Sequence, residues 1–132
     1  MKAAKFEHHE PTSVSKAVSL LDSLDEPTIL SGGQSLVPML RFRLARPSTV
    51  VDINGIDELD YLHEEDGHLK IGALARHADV ERSEMIEDRY GSFADAAPLV
   101  ADPQIRNRGT LVGSVAQADP KGDWGSVLIA HD

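Results

Sequence analysis

The sequence contains no cysteine among its 132 residues. Disulfides, thiolate-bound zinc, iron–sulfur clusters held by this chain and thiol nucleophiles are therefore excluded. Basic residues are also scarce, since 13 lysines and arginines stand against 22 aspartates and glutamates and the net charge is -9. Binding to a nucleic-acid backbone or to an anionic membrane needs a basic face, so this balance argues against both kinds of partner.

Long apolar runs are missing as well. No stretch approaches the roughly 18 apolar residues of a membrane-spanning helix, and residues 1–10 lack the apolar core of a signal peptide. We therefore expect a cytoplasmic protein. The apolar share of 41% is sufficient for one compact unit or for two small lobes that share a core.

Several site motifs are absent. The sequence has no G-x-G-x-x-G pattern of dinucleotide-binding folds, no Walker A loop and no G-x-S-x-G turn of esterases. The adjacent His8 and His9 point apart in an extended chain and have no evident third ligand, so we expect no metal site. His77 stands where a strand is expected to turn into a helix, and a packing or capping role is favoured for it.

The residues that are present predict an alternation of helices and short strands. Apolar residues recur at helical spacing from Val14 to Leu24, after the capping sequence Pro11-Thr12-Ser13. The pair Asp66-Gly67 is favoured in tight two-residue hairpins. The predicted helices are 14–24, 34–44, 78–86, 92–101 and 124–130, and the predicted strands are 28–30, 48–53, 61–65, 68–73 and 111–116.

This order of elements predicts an α+β fold. We expect a small N-terminal αβ lobe over residues 1–55, packed on a partial second lobe over residues 56–132 with a mixed or antiparallel sheet. Residues 54–58 are the expected seam between the two lobes.

Two glycine-bearing loops are the most informative feature of the chain. They are Ser31-Gly32-Gly33-Gln34-Ser35 and Thr110-Leu111-Val112-Gly113-Ser114. Glycine turns with free backbone N–H groups suit an anion such as a pyrophosphate, so we expect the two loops to lie side by side. Beyond the second loop, Asp119 and Asp123 are expected to accept hydrogen bonds from sugar or ribityl hydroxyls, or else to form an Asp-Pro turn and a helix cap.

The two loops, in this order, resemble those of the FAD-binding subunits of molybdenum hydroxylases, such as the medium subunit of aerobic carbon monoxide dehydrogenase and the flavin domain of xanthine dehydrogenase. The segments 36–54, 71–73 and 115–123 are similar to the same family. The resemblance implies a two-lobed FAD-binding fold, with FAD as the cofactor. The residues that it implies for FAD binding are Ser31, Gly32, Gly33, Gln34, Ser35, Leu36, Ala73, Thr110, Leu111, Val112, Gly113, Ser114, Asp119 and Asp123.

The resemblance also implies partners and a division of labour. Substrate oxidation occurs at molybdenum in a large subunit, and electrons reach FAD through the [2Fe–2S] clusters of a small subunit before they pass to an acceptor. The chain is thus expected to be the flavoprotein component of a multi-subunit oxidoreductase. No residue of it is expected to act on the substrate, and none is named as catalytic or as a metal ligand.

Two departures from the family pattern carry expectations of their own. Val112 replaces a glycine, and because a β-branched residue resists positive φ, we expect it to hinder FAD binding and a glycine there to strengthen it. The chain ends at Asp132, before the family's C-terminal lobe, so we expect self-association through exposed Trp124 or Leu128. The alternatives are a non-flavin-binding remnant that acts as a partner-binding module, and a binder of another phosphate-bearing ligand.

Overall fold

The structure is a computed structural model that describes residues 2–131. Its strands are β1 (Glu7–His9), β2 (Thr28–Leu30), β3 (Thr49–Asp52), β4 (Leu62–Glu65) and β5 (His68–Ile71). Its helices are α1 (Val14–Ser23), α2 (Leu36–Arg41), α3 (His77–Arg82), α4 (Glu84–Arg89), α5 (Gly91–Ala96), α6 (Pro103–Arg106), α7 (Leu111–Gln117) and α8 (Trp124–Ala130). Short 3-10 turns lie at Asp57–Leu59 and Ala97–Leu99. None of the helices within residues 2–131 has the length and apolar character that a bilayer crossing requires.

The N-terminal part is built on a parallel sheet in the order β1-β3-β2. Its central strand holds Val50 and Val51, both 0% exposed, as expected for a strand that is covered on both faces. Helix α1 begins as predicted, with the Ser13 hydroxyl accepting a hydrogen bond from the Lys16 N–H at 3.3 Å. The residues of this N-terminal cluster are Ala17, Val51, Ile53, Ile56 and Leu74.

The predicted hairpin is confirmed. Strands β4 and β5 pair in antiparallel register, with Leu62 opposite Ile71. Asp66 and Gly67 have φ of 52° and 74°, which is the left-handed backbone that a tight two-residue turn requires. The hairpin packs on a second apolar cluster, whose buried members are Val80, Ile86, Phe93, Ala97, Leu111 and Trp124.

The structure thus has the predicted α+β class, with helices and two small sheets. The division of the chain at residue 55 stays a prediction. Ile56 and Leu74 both pack in the N-terminal cluster, so the chain returns to that cluster after residue 55.

One predicted strand is wrong. Residues 111–116 belong to helix α7, which begins after Thr110 and runs to Gln117. The Thr110 hydroxyl accepts a hydrogen bond from the Gly113 N–H at 3.2 Å, and this cap starts a helix where the apolar run alone reads as a strand.

Three predicted helices are shorter than expected. The predicted helix 78–86 is divided at Ser83, whose hydroxyl caps α4 through the Ile86 N–H at 3.3 Å. The predicted helix 92–101 gives way to a 3-10 turn that contains Pro98, because proline cannot donate to the helical hydrogen-bond ladder. Helix α2 ends before Arg43, which has a left-handed φ of 57°.

The expected exposure of Trp124 is also wrong. Its side chain is 1% exposed and belongs to the second cluster. On the same helix, Leu128 is 36% exposed and Ile129 is 79% exposed. Self-association with Leu128 at the contact therefore stays a prediction, and the buried indole does not take part in it.

Candidate functional site

The two glycine loops meet through their backbones. A Cβ atom on Gly32 would lie 2.6 Å from the Arg108 carbonyl oxygen and 2.7 Å from the Gly109 Cα. Both distances are far shorter than real Cβ contacts, so only glycine permits this approach. The prediction that the loops lie side by side is confirmed.

A chain of hydrogen bonds joins the loops at their first residues. The Ser31 hydroxyl donates to the Ala73 carbonyl at 2.9 Å and lies 3.1 Å from the Thr110 hydroxyl. Since the Ser31 proton is committed to Ala73, the Thr110 hydroxyl donates to Ser31 Oγ. Thr110 in turn accepts from the Gly113 N–H. The structure thereby brings together four of the predicted site residues: Ser31, Ala73, Thr110 and Gly113.

The first loop presents its main chain to an open groove of about 550 Å³. Within residues 2–131, no backbone N–H from residues 32–36 donates to a protein acceptor. The loop is held in shape by Gly33, with φ of 74°, and by the Gln34 side chain, which donates to the Gly32 carbonyl at 2.9 Å. Ser35 is exposed at the start of α2, and Leu36 is its first residue. The loop thus offers consecutive unpaired donors, as an anion site requires.

Two arginines, Arg41 and Arg108, line the same groove. Both are exposed. In a chain with a net charge of -9, they concentrate two positive charges at the groove, where the carboxylate of Asp52 is the other charged group of the lining. Neither arginine was predicted from the sequence, although a basic residue in an acidic chain was a usable signal.

Arg76 and Asn54 link the two loops through hydrogen bonds, and this role was not predicted from the sequence. The Arg76 guanidinium donates to the Arg108 carbonyl at 2.6 Å and to the Asn54 amide oxygen at 2.8 Å. The Asn54 amide nitrogen donates to the Ser31 carbonyl at 2.8 Å. The expected seam therefore contains the residue that links the first loop to Arg76.

Val112 does not have the positive φ that was expected from the sequence. It lies in the first turn of α7, it is not among the described residues with positive φ, and its side chain packs on the second cluster. A β-branched residue fits such a position without strain. The expectation that Val112 hinders binding is therefore wrong in its physical reason, and a glycine there would remove packing.

The other predicted residues of the second loop divide between core and surface. The Leu111 side chain is 2% exposed and belongs to the second cluster, so only its backbone is available to a ligand. Ser114 is half-buried, and its Oγ would lie 3.9 Å from a Cβ on Gly122. The turn after α7 therefore lies beside this loop.

Asp119 and Asp123 are both exposed. The Asp119 carboxylate accepts from the Lys121 N–H at 2.9 Å, which is the turn that the sequence left open as an alternative. Asp123 precedes α8 and makes no side-chain cap there. Asp123 therefore lacks the expected capping role, and its negative charge acts to raise the pKa of His77.

His77 has the packing role that the sequence favoured. Its ring is 5% exposed and stacks on Trp124 with centroids 5.8 Å apart and planes inclined by 8°. The Trp124 indole N–H donates to His77 Nδ1 at 3.0 Å, so the neutral ring carries its proton on Nε2. Burial lowers the pKa of His77 below its usual value, Asp123 partly opposes this effect, and Arg106 adds to it.

The stability of the chain is expected to fall as the pH drops below about 6.5, the ordinary pKa of histidine. Because the folded-state pKa of His77 is lowered, the unfolded chain takes up the proton at a higher pH than the folded chain does. The loss is at most about 1.4 kcal/mol per pH unit and ends below the folded-state pKa. Urea unfolding between pH 8 and pH 5 measures it.

His77→Gln is expected to flatten the pH dependence of the free energy of unfolding. Equal slopes in the wild type and in His77→Gln would show that His77 is not the group that takes up the proton.

Asp52 lies near His8 and Glu10, and this group of three possible metal ligands was not predicted from the sequence. His8, Glu10 and Asp52 each place one ligand atom within 4.8 Å of the others. The parallel pairing of β1 with β3 brings Asp52 to this edge, whereas His9 contacts Glu7 at 3.0 Å. Side-chain proximity is all that marks this group, and exposed acidic groups commonly cluster without a metal.

Comparisons with known proteins agree with this geometry. A family model described as the FAD binding domain in molybdopterin dehydrogenase matches residues 4–132. The chain is 44% identical over 133 residues to the 6-hydroxypseudooxynicotine dehydrogenase complex subunit alpha of Paenarthrobacter nicotinovorans, with 100% of this chain and 45% of that protein covered. It is 42% identical over 127 residues to the carbon monoxide dehydrogenase medium chain of Hydrogenophaga pseudoflava, with 96% and 44% covered.

The fold agrees with that of a solved relative. Carbon monoxide dehydrogenase from Hydrogenophaga pseudoflava, in a form that lacks the Mo-pyranopterin moiety of the molybdenum cofactor, matches with a TM-score of 0.89 and 43% identity. The match covers 92% of this chain and 43% of that chain. The present chain therefore spans less than half the length of the relatives that it resembles.

Proposed function

Since the chain belongs to the family of FAD binding domains in molybdopterin dehydrogenases, we propose that its two glycine loops hold the pyrophosphate of FAD. The backbone contact between Gly32 and residues 108–110 is the observation that carries the proposal. It places the unpaired N–H groups of residues 32–36 beside the start of α7. Two loops that meet in this way can surround one doubly charged diphosphate.

The proposed roles follow from what each residue presents. Residues 32–36 supply main-chain donors, and the Val112 N–H, which has no protein acceptor within residues 2–131, supplies another. The Thr110 hydroxyl shapes the second loop, because it bonds to Ser31 Oγ and accepts from the Gly113 N–H. The Leu111 side chain anchors this loop in the second cluster. Ala73 fixes Ser31 through its carbonyl. Ser114, Asp119 and Asp123 lie toward the turn after α7, where we place the hydroxyl-bearing part of the cofactor.

The residues present fit FAD in charge as well as in shape. Arg41 and Arg108 line the groove and are available to neutralise phosphate oxygens, which suits an anionic ligand in an otherwise acidic chain. When bound, FAD supplies the redox chemistry of the isoalloxazine ring. The chain itself binds and orients the cofactor, and no side chain of it is assigned to acid–base chemistry on a substrate.

We propose that the complete protein relays electrons within a molybdenum hydroxylase. The proposed partners are a large subunit with the molybdenum cofactor and a small subunit with [2Fe–2S] clusters, as the resemblance implies. Support comes from relatives that are named as a subunit of a dehydrogenase complex and as a carbon monoxide dehydrogenase medium chain. The cytoplasmic location stays a prediction.

The alternative of a remnant without flavin is less well supported. It depended on Val112 as an obstacle, and Val112 has an unstrained helical backbone. The first loop, the hydrogen bond between the Ser31 and Thr110 hydroxyls and the groove are all present.

Titration of the chain with FAD tests the proposal. We expect saturable quenching of the flavin fluorescence by FAD and competition by ADP, which shares the pyrophosphate. Riboflavin, which lacks both phosphates, is the control and is expected to bind far more weakly. No binding of FAD, or equal binding of FAD and riboflavin, would contradict a pyrophosphate site at the loops.

A further inference from the structure

One guanidinium contacts both sides of the loop junction. Arg76 donates through one nitrogen to the Arg108 carbonyl, which precedes the second loop, and through another to the Asn54 amide oxygen, which is linked to the first loop. Its own backbone is fixed, because the Arg76 N–H donates to the Asp79 carboxylate at 2.7 Å and Arg76 forms a β-bridge with Thr110. A fork-shaped, always charged donor is suited to hold two acceptors at a set separation.

Asn54 uses every polar atom of its amide. The oxygen accepts from Arg76, and the nitrogen donates to the Ser31 carbonyl at 2.8 Å and to Asp52 Oδ1 at 2.6 Å. The Asn54 N–H also donates to Asp52 Oδ1 at 2.9 Å. The side chain therefore has one orientation, and the Ser31 carbonyl is held with it.

A fixed carbonyl also fixes the direction of the next N–H. In a planar trans peptide the carbonyl and the following N–H point in opposite directions. The Ser31 carbonyl shares its peptide plane with the Gly32 N–H, which has no protein acceptor within residues 2–131. The Arg108 carbonyl shares its plane with the Gly109 N–H, which donates to the Ile105 carbonyl at 2.7 Å.

The geometry points to Arg76 and Asn54 as positioning residues for the cofactor: together they hold the two loops at a fixed distance and direct the Gly32 N–H to the pyrophosphate. Arg76 does not line the groove, so its guanidinium acts on the loops and not on the ligand. Asn54 does line the groove, but its amide is committed to Arg76, Ser31 and Asp52. The inference rests on the proposed FAD site. It differs from a general effect of positive charge, because it requires the fork of Arg76 and the amide of Asn54.

The test compares Arg76→Lys, Arg76→Met, Asn54→Ala and the double variant Arg76→Met/Asn54→Ala in the full chain. The matched control is Arg89→Met, since the Arg89 guanidinium on α4 pairs with the Glu64 carboxylate of β4 at 2.9 Å. Dissociation constants are measured for FAD and for ADP, and thermal midpoints are measured without ligand.

Each single variant is expected to weaken FAD and ADP binding equally, by about tenfold, the scale of coupling between contacting residues. Arg76→Lys is expected to lose as much as Arg76→Met, and the double variant no more than either one. Wild-type affinity in Arg76→Lys would overturn the positioning role in favour of charge. A loss of affinity that follows the thermal midpoint and is shared by Arg89→Met would overturn it in favour of general stability.

A second measurement separates this inference from the proposed function. The amide resonances of Gly32 and Gly109 in the ligand-free chain are expected to shift in Arg76→Met and in Asn54→Ala, and to remain unchanged in Arg89→Met. Unchanged resonances would overturn the inference. Failure of the wild type to bind FAD, with these shifts present, would overturn the FAD site alone.

Discussion

Gly32→Ala is expected to weaken FAD binding by about a hundredfold, which corresponds to about 2.7 kcal/mol and lies within the usual cost of inserting an atom into a packed site. The added Cβ would lie 2.6 Å from the Arg108 carbonyl oxygen and 2.8 Å from the Thr110 nitrogen. Both are backbone atoms, so no side chain can rotate away and the loops must separate. Flavin fluorescence titration measures the affinity.

Gly91→Ala is the matched control for this substitution. Gly91 begins α5, and a Cβ there meets no heavy atom within 4 Å. We expect wild-type FAD affinity and unchanged or slightly higher stability, because alanine is a better helix former than glycine. Wild-type affinity in Gly32→Ala would show that the contact between the loops does not determine cofactor binding.

Trp124→Ala is expected to lower the free energy of unfolding by about 3–5 kcal/mol, the usual cost of truncating a buried aromatic residue to alanine. The indole lies between two rings, with centroids 5.8 Å from both His77 and Phe93. Its removal leaves a cavity and deprives His77 Nδ1 of the donor that it accepts from. Since small domains have only about 5–15 kcal/mol of stability, the variant is expected to unfold at much lower urea concentration.

Ile129→Ala, on the same helix, is the control for Trp124→Ala. Ile129 is 79% exposed, and substitutions at exposed surface positions usually change the free energy of unfolding by no more than about 0.5 kcal/mol. A loss below about 1 kcal/mol in Trp124→Ala, measured by urea unfolding, would place the indole outside the packed core, since buried aromatic truncations cost far more.

Local chemistry made parts of the fold predictable from the sequence. The hairpin followed from Asp66-Gly67, and α1 followed from Ser13 and the apolar spacing behind it. Strand β1 was missed because Glu7–His9 is short and polar, so it shows no apolar alternation, and its pairing with β3 depends on the backbone ladder. The second loop was assigned to a strand because its short apolar run fits both kinds of element.

The candidate site also has one part that could be predicted from the sequence and one part that could not. The glycine loops were visible because glycine and hydroxyl residues mark a backbone approach directly in the sequence. The contacts of Arg76 with Asn54 and with the Arg108 carbonyl join residues 22 and 32 positions apart, and side chains that bind main-chain carbonyls leave no regular spacing. Such contacts depend on how the two clusters pack, which the sequence alone does not specify.

The meeting of the two loops has a thermodynamic consequence. The first loop follows β2 of the N-terminal sheet, whereas Leu111 of the second loop belongs to the second cluster. A ligand that needs both loops binds only when both clusters are folded, and at a hundredfold excess over its dissociation constant it adds about 2.7 kcal/mol to the stability of that state. Cofactor loading would then couple two locally folded parts into one cooperative unit, and partial unfolding of either part would release the cofactor.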